Sequence, residues 1–339
     1  VLALLLPACV DPPAPACEVG GPHLVVASTD YESGVLGAVA LDGTCLAEPL
    51  ASAGRDPLLR AAPDALLYAD RSDGDVVRRY DPGVYDVPAA EFALPAGGNT
   101  HDVVAVGEEL FFARYDEPWV TVTDRAGRVL DRIDLADDAD ADGLPEADAF
   151  AWVDGRLFLS LQRLDRDAGF VPAGPGRLLE LDPATRRIVA RHDTGPNPRL
   201  WPADGAVLVG SGAFGALDGS LVRHSLAGEP ELLATEQDLG FDLTWAREVG
   251  GVLVLLGLDP AETAPSHVRC GPVHERTESW PVDATVAPDG VVWGVDRPMD
   301  WAGTGRSAAW RLDPATCVRE TVAEGFLLGP ASVALPPGG

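Results

Sequence analysis

The chain has 339 residues, is 46% hydrophobic, and carries 53 acids against 25 bases, none of them lysine, for a formal net charge of −28. That excess excludes a nucleic-acid partner, whose phosphate backbone needs a basic face, and disfavours charge-driven adsorption to anionic lipid. With 37 glycines and 30 prolines, the composition favours many turns over long helices.

The first nine residues form an apolar run that ends Leu6-Pro7-Ala8-Cys9. It is too short to span a bilayer. The run resembles the lipobox of bacterial lipoproteins, which implies lipidation of Cys9; a plain cleaved signal peptide is the alternative. The Pro-rich stretch from Asp11 to Pro15 follows as a stiff tether. Residues 1–21 are therefore expected to be a lipoprotein signal remnant and tether, and residues 22–339 the folded domain. The expected location is extracytoplasmic, with the membrane touched only through the lipid. Apart from Cys9, Cys17, Cys45, Cys270 and Cys317 remain, an even number that favours disulfides in an exported protein. Four cysteines allow three pairings; proximity favours Cys17–Cys45 and Cys270–Cys317.

From residue 61 onward one unit recurs: an apolar strand, a tight acidic or glycine turn, and a stronger apolar strand. Copies lie at 61–68, 103–112, 151–158, 201–208, 250–253 and 288–293. The turns, taken at residues 64, 108, 155, 205, 251 and 290, are 44, 47, 50, 46 and 39 residues apart. A period of about 40–50 residues with strand-type alternation is the mark of propeller blades, each a four-stranded antiparallel sheet. Asp182-Pro183 and Asp313-Pro314 supply hairpin turns in the second half of the unit. The chain starts with a second-type strand, residues 23–28, and finishes with a first-type strand, residues 331–335. The predicted fold is therefore all-β, a seven-bladed β-propeller closed by a blade that both termini share, with six or eight blades as the alternatives.

Leu181-Asp182-Pro183-Ala184-Thr185, then Gly195-Pro196-Asn197-Pro198, then Asp204-Gly205 follow the order of a known repeat. In this the chain resembles the YVTN-type repeat propellers, with good matches in blades 4, 5 and 7 and weak ones in blades 3 and 6. The resemblance implies an extracytoplasmic β-propeller and no single activity.

Loops on one face of such a propeller converge on its mouth. They carry Arg71, His101, Asp102, Arg114, Arg163, Arg199, Asp242, Asp283 and Arg297. This mixed rim is expected to bind a small anionic ligand or a protein partner through an acidic group, since arginine grips carboxylates with two parallel hydrogen bonds. The bland alternative is a solvated rim of paired charges. A sharper local signal is the Asp-x-Asp-x-Asp-Gly run, which offers Asp138, Asp140, Asp142, the Leu144 carbonyl, Glu146 and Asp148 as ligands for Ca²⁺. It departs from calcium loops in ending on Ala149, and an acidic linker is the alternative. His267, Cys270 and His274 have metal-like spacing, but residues 267 and 270 of one strand point to opposite faces. Trp152, Trp201 and Trp245 are expected to wedge between blades.

Two function classes stand. The favoured one is a monomeric, non-enzymatic binding or scaffold lipoprotein of the bacterial cell envelope, its ligand on the propeller rim. The other is a propeller enzyme, a lactonase-like hydrolase or a quinoprotein-type dehydrogenase.

Overall fold

The computed structural model describes residues 21–72, 74–260, 266–298 and 307–337. Cys9 and Cys17 lie outside the described residues. Seven four-stranded antiparallel sheets form the seven blades, and one two-stranded hairpin, Leu164–Asp165 with Val171–Pro172, is inserted in blade 4. The innermost strands of blades 2 to 7 are Pro57–Ala62, Thr100–Val106, Ala147–Val153, Arg199–Ala203, Asp242–Val249 and Trp280–Val286.

The first blade is built from both ends of the described chain. His23–Thr29 pairs on one side with Gly34–Ala40 and on the other with Pro330–Ala334, which takes the innermost place. Val25 faces Ala334 and Val26 faces Val333, so the ring closes as the unmatched terminal strands predict. Closure covers the inner edge of His23–Thr29.

Each strand alternates between two faces, and in a propeller both faces of a blade meet a neighbour. The middle of a second strand is accordingly apolar: Leu110, Phe111, Phe112 and Ala113 are all buried. Fourth strands run along solvent and alternate, as in Arg187–Asp193. Close packing fixes one glycine in particular: a Cβ at Gly294 would lie 2.2 Å from the Trp310 ring, which is fully buried. The Asp-based hairpins form as expected, with Asp182 accepting from the Ala184 amide at 3.0 Å and Asp313 from the Ala315 amide at 2.9 Å. The inward turn Asp154-Gly155 uses positive φ at both residues, 47° and 80°.

The tryptophans divide. Trp245 is buried and donates its indole N–H to the Ala284 carbonyl of the next blade at 2.9 Å. Trp201 is buried over Gly210. Trp152 instead stands 40% exposed near the end of its strand. The expected wedge therefore holds for two of the three. One of the expected disulfides, Cys270–Cys317, links blades 6 and 7. Cys45 is also disulfide-bonded.

Candidate functional site

All seven innermost strands surround a cavity of about 360 Å³ on the propeller axis. Its charged lining consists of Arg60, Arg199 and Arg247 against Asp102, Asp148 and Asp283. Leu59, Phe150, Leu200, Trp201, Trp245 and Val333 supply apolar wall. A second cavity of about 500 Å³ opens beside the Asp154, Asp204 and Gly290 turns, and Pro202 and Arg247 line both.

Two of the carboxylates are committed to holding blades together. Asp102 of blade 3 accepts from Arg60 Nε of blade 2 at 2.6 Å and from the Phe150 amide of blade 4 at 2.7 Å. Asp283 of blade 7 accepts from the Val333 amide at 3.0 Å and the Ser332 hydroxyl at 3.2 Å, both in blade 1. Burial pushes both carboxyls above their ordinary range, opposed in each case by Arg60 and the amide donors. Asp148 differs: its Oδ1 lies 3.0 Å from His101 Nδ1, while Oδ2 accepts no hydrogen bond from the described residues. The His101 ring stacks on Tyr115, centroids 4.0 Å apart.

The arginines are less completely used. Arg60 spends Nε on Asp102 and Nη1 on the Leu59 carbonyl, leaving Nη2 uncommitted, and its side chain is 36% exposed to the cavity. Among the described residues Arg247 donates only through Nη1, to the Pro202 carbonyl, and no carboxylate lies within ion-pair reach. Burial, with Arg60 nearby, lowers its pKa to about 10, which still leaves it charged at neutral pH. Arg247 Nε and Thr244 Oγ1 are both buried and find no hydrogen-bond partner among the described residues. Both line the cavity or its neighbour on one strand. Arg199 donates through Nη1 to the Leu243 carbonyl and lies 3.5 Å from Asp242, while its Nε and Nη2 make no hydrogen bond among the described residues.

The residues expected on the rim scatter. Asp102, Arg199 and Asp283 reach the cavity, His101 stands one carboxylate behind it, and Asp242 backs Arg199. Four arginines do not converge on the mouth. Arg71 pairs with Asp56, and Arg163 donates to the Pro175 carbonyl at 2.9 Å. Arg297 donates to the Tyr31 hydroxyl at 3.0 Å and packs over its ring. Arg114 is fully buried between Asp75, Glu117 and the Pro95 carbonyl. These side chains pin loops, because a guanidinium beside several carbonyls and carboxylates folds back on them rather than into water.

The acidic turn is also rearranged. Asp138 is buried and turned away, held by Arg177 and by Arg191 Nε at 3.0 Å. Asp140 and Asp142 remain side by side, with the Asp142 amide on Asp140 Oδ1 at 3.1 Å. The Leu144 carbonyl is taken by the Asp140 amide at 3.1 Å, Glu146 is buried and accepts from the Leu164 amide at 3.1 Å, and Asp148 faces His101. The six expected ligands thus do not share one centre. Among the described residues no three His, Cys, Asp or Glu side chains are grouped to hold a metal ion.

No family model matches the chain, and no curated protein does. Among solved structures, the chain is similar to a Bacteroides fragilis protein named as a candidate 6-phosphogluconolactonase, at 11% identity, covering 92% of this chain and 97% of that one with a TM-score of 0.63. A protein from Lactobacillus plantarum gives 10% identity, 92% and 98% coverage and a TM-score of 0.61. The β-propeller domain of the Trilobed protease from Pyrococcus furiosus gives 7% identity, 89% and 95% coverage and a TM-score of 0.55. That domain is described as having an open velcro topology, whereas here Pro330–Ala334 closes the first blade. At these identities the likeness carries the seven-bladed fold and nothing finer.

Sequence reasoning missed Arg60, Thr244 and Arg247. A signal was present: Arg60 and Arg247 each stand four residues before the inward turn, at Asp64 and Gly251, in the same place on their inner strands. A charge repeated at one offset of a repeat marks a shared direction, here toward the axis.

Proposed function

We propose that this protein is a binding propeller that takes a small anionic ligand in its axial cavity, on Arg60 and Arg247. The observation that supports the reading is the pair of guanidinium groups with uncommitted donors at the centre of the ring, one of them lacking any carboxylate partner. An anion that meets the free Nη2 groups of Arg60 and Arg247 gains charge-assisted hydrogen bonds, about twice as strong as neutral ones. The site differs from the rim expected from sequence, but the ligand chemistry is the same. The Cys270–Cys317 disulfide supports an extracytoplasmic location for a lipid-anchored protein. The test is calorimetric titration of the full chain with 3-phenylpropionate and with inorganic phosphate. Binding that weakens at least about tenfold in Arg247→Met supports the reading; no heat with either anion rejects it.

A second reading, a hydrolase, is favoured by one observation. Asp148 holds His101 through Nδ1, which fixes the tautomer and leaves Nε2 as the basic nitrogen. Such a base takes a proton from the water that attacks a lactone carbonyl, and the ring oxygen leaves with a proton. Acid release from glucono-δ-lactone that exceeds the uncatalysed rate and is lost in His101→Gln would support it; the same rate in both proteins would reject it.

A further inference from the structure

The cavity lining balances three arginines against three aspartates, and its free valences are of both signs. On the positive side stand Arg60 Nη2 and Arg247 Nη2, with Nε and Nη2 of Arg199, whose charge Asp242 offsets. On the negative side Asp102 and Asp283 are each engaged by three donors. Asp148 alone keeps an oxygen without a donor, and its side chain is 18% exposed. The wall between them is aromatic and aliphatic: Phe150, Leu200, Trp201, Trp245 and Val333.

A doubly charged anion fits this lining poorly, because it meets the arginines only with three carboxylates around it. A neutral apolar molecule leaves Arg60 Nη2 and Arg247 Nη2 unsatisfied. The complement to two donors, one acceptor and an apolar wall is a ligand with a carboxylate, an ammonium group and an apolar body. Resting on the anion-binding reading above, we infer that the axial cavity accepts a zwitterionic amino acid with an apolar side chain. Its carboxylate lies on Arg60 and Arg247, its ammonium on Asp148, and its side chain against Trp201 and Trp245. His101 is then a positioning residue: it donates through Nδ1 to one Asp148 oxygen and turns the other toward the axis.

The test is calorimetric titration of the full chain with L-phenylalanine, 3-phenylpropionate, phenethylamine and inorganic phosphate, which differ in a single charged group or lack the apolar body. Phenylalanine is expected to bind about tenfold or more tighter than 3-phenylpropionate, and phenethylamine not to bind, as befits loss of a charge-assisted hydrogen bond. Asp148→Asn is expected to bring phenylalanine and 3-phenylpropionate within about twofold of each other, by weakening phenylalanine while 3-phenylpropionate, relieved of a like charge, binds no more weakly. Equal affinity of the two acids for the unmutated protein, or tighter binding of phosphate, overturns the zwitterion while the anion site stands. Absence of binding by every acid removes the anion site itself. The ligand series needs no variant, so a poorly folding Asp148→Asn leaves the comparison decisive.

Discussion

The Ser332 hydroxyl accepts a hydrogen bond from the Leu59 amide at 3.1 Å, across 273 positions of sequence. The same hydroxyl donates to Asp283, so a single side chain of the closing strand is tied to the blades on both sides. Ser332→Ala leaves the Leu59 amide buried without a partner, at a cost of about 1–3 kcal/mol. The urea midpoint should fall with an unchanged slope; a slope change instead of a midpoint change would mean that the closing strand had detached.

The Cys270–Cys317 bridge closes a loop of 47 residues between blades 6 and 7. Loop-closure entropy assigns such a cross-link about 4 kcal/mol. The double variant Cys270→Ser with Cys317→Ser should lose most of that in chemical denaturation under oxidising conditions. A loss below about 1 kcal/mol would show that the apolar contacts around these cysteines already hold the two blades.

Asp102→Asn leaves Arg60 without its carboxylate while keeping an acceptor for the Phe150 amide. Arg60 is 36% exposed to the cavity, so solvent screening reduces the effect to about 1–2 kcal/mol, below that of a dry ion pair. Added salt should narrow the difference between the variant and the parent. A difference that is the same at all ionic strengths would assign the loss to packing.

Glu146 supplies a pH dependence. Burial, with Asp142 and Asp140 close by, pushes its carboxyl up to about 8. The unfolded chain has released that proton by about pH 5, so the folded state binds more protons between about 5 and 8. Stability is therefore full at the acid end of this window and declines as the pH rises through it, by on the order of 3 kcal/mol. Glu236, pushed up to about 7 by burial, acts in the same direction. Thermal melting at pH 5 and pH 8.5 should show the decline, and Glu146→Gln should remove about half of it. A melting temperature that rises toward pH 8.5 in the parent would contradict the assignment.

The blades were legible because each inward turn leaves a mark that does not depend on its neighbours, as Asp154-Gly155 and Asp289-Gly290 do. Closure was legible from Val25 and Val333 alone, since each belonged to a half-blade that lacked the other. The site was legible only in part. Arg114 and Arg297 carry the charge expected of a rim, yet the acceptors that hold them, Pro95 and Tyr31, are set by loop geometry. Likewise, Asp138 looks like a metal ligand until Arg177 and Arg191, from neighbouring strands of the next blade, reach it. His101 pairs with Asp148, 47 residues on, and not with its sequence neighbour Asp102, because alternation turns adjacent side chains apart and the ring brings blades 3 and 4 together.

Pro330–Ala334 emerges from the ribosome roughly 300 residues after the strand it must join. At about 5–20 residues per second that is an interval on the order of 15–60 s, during which His23–Thr29 lacks its inner neighbour. Six blades can collapse on one another while they wait, but the circle is completed only when the nascent chain delivers its last strand. A cell making this protein therefore has a long window in which a chaperone can hold the growing chain before it locks.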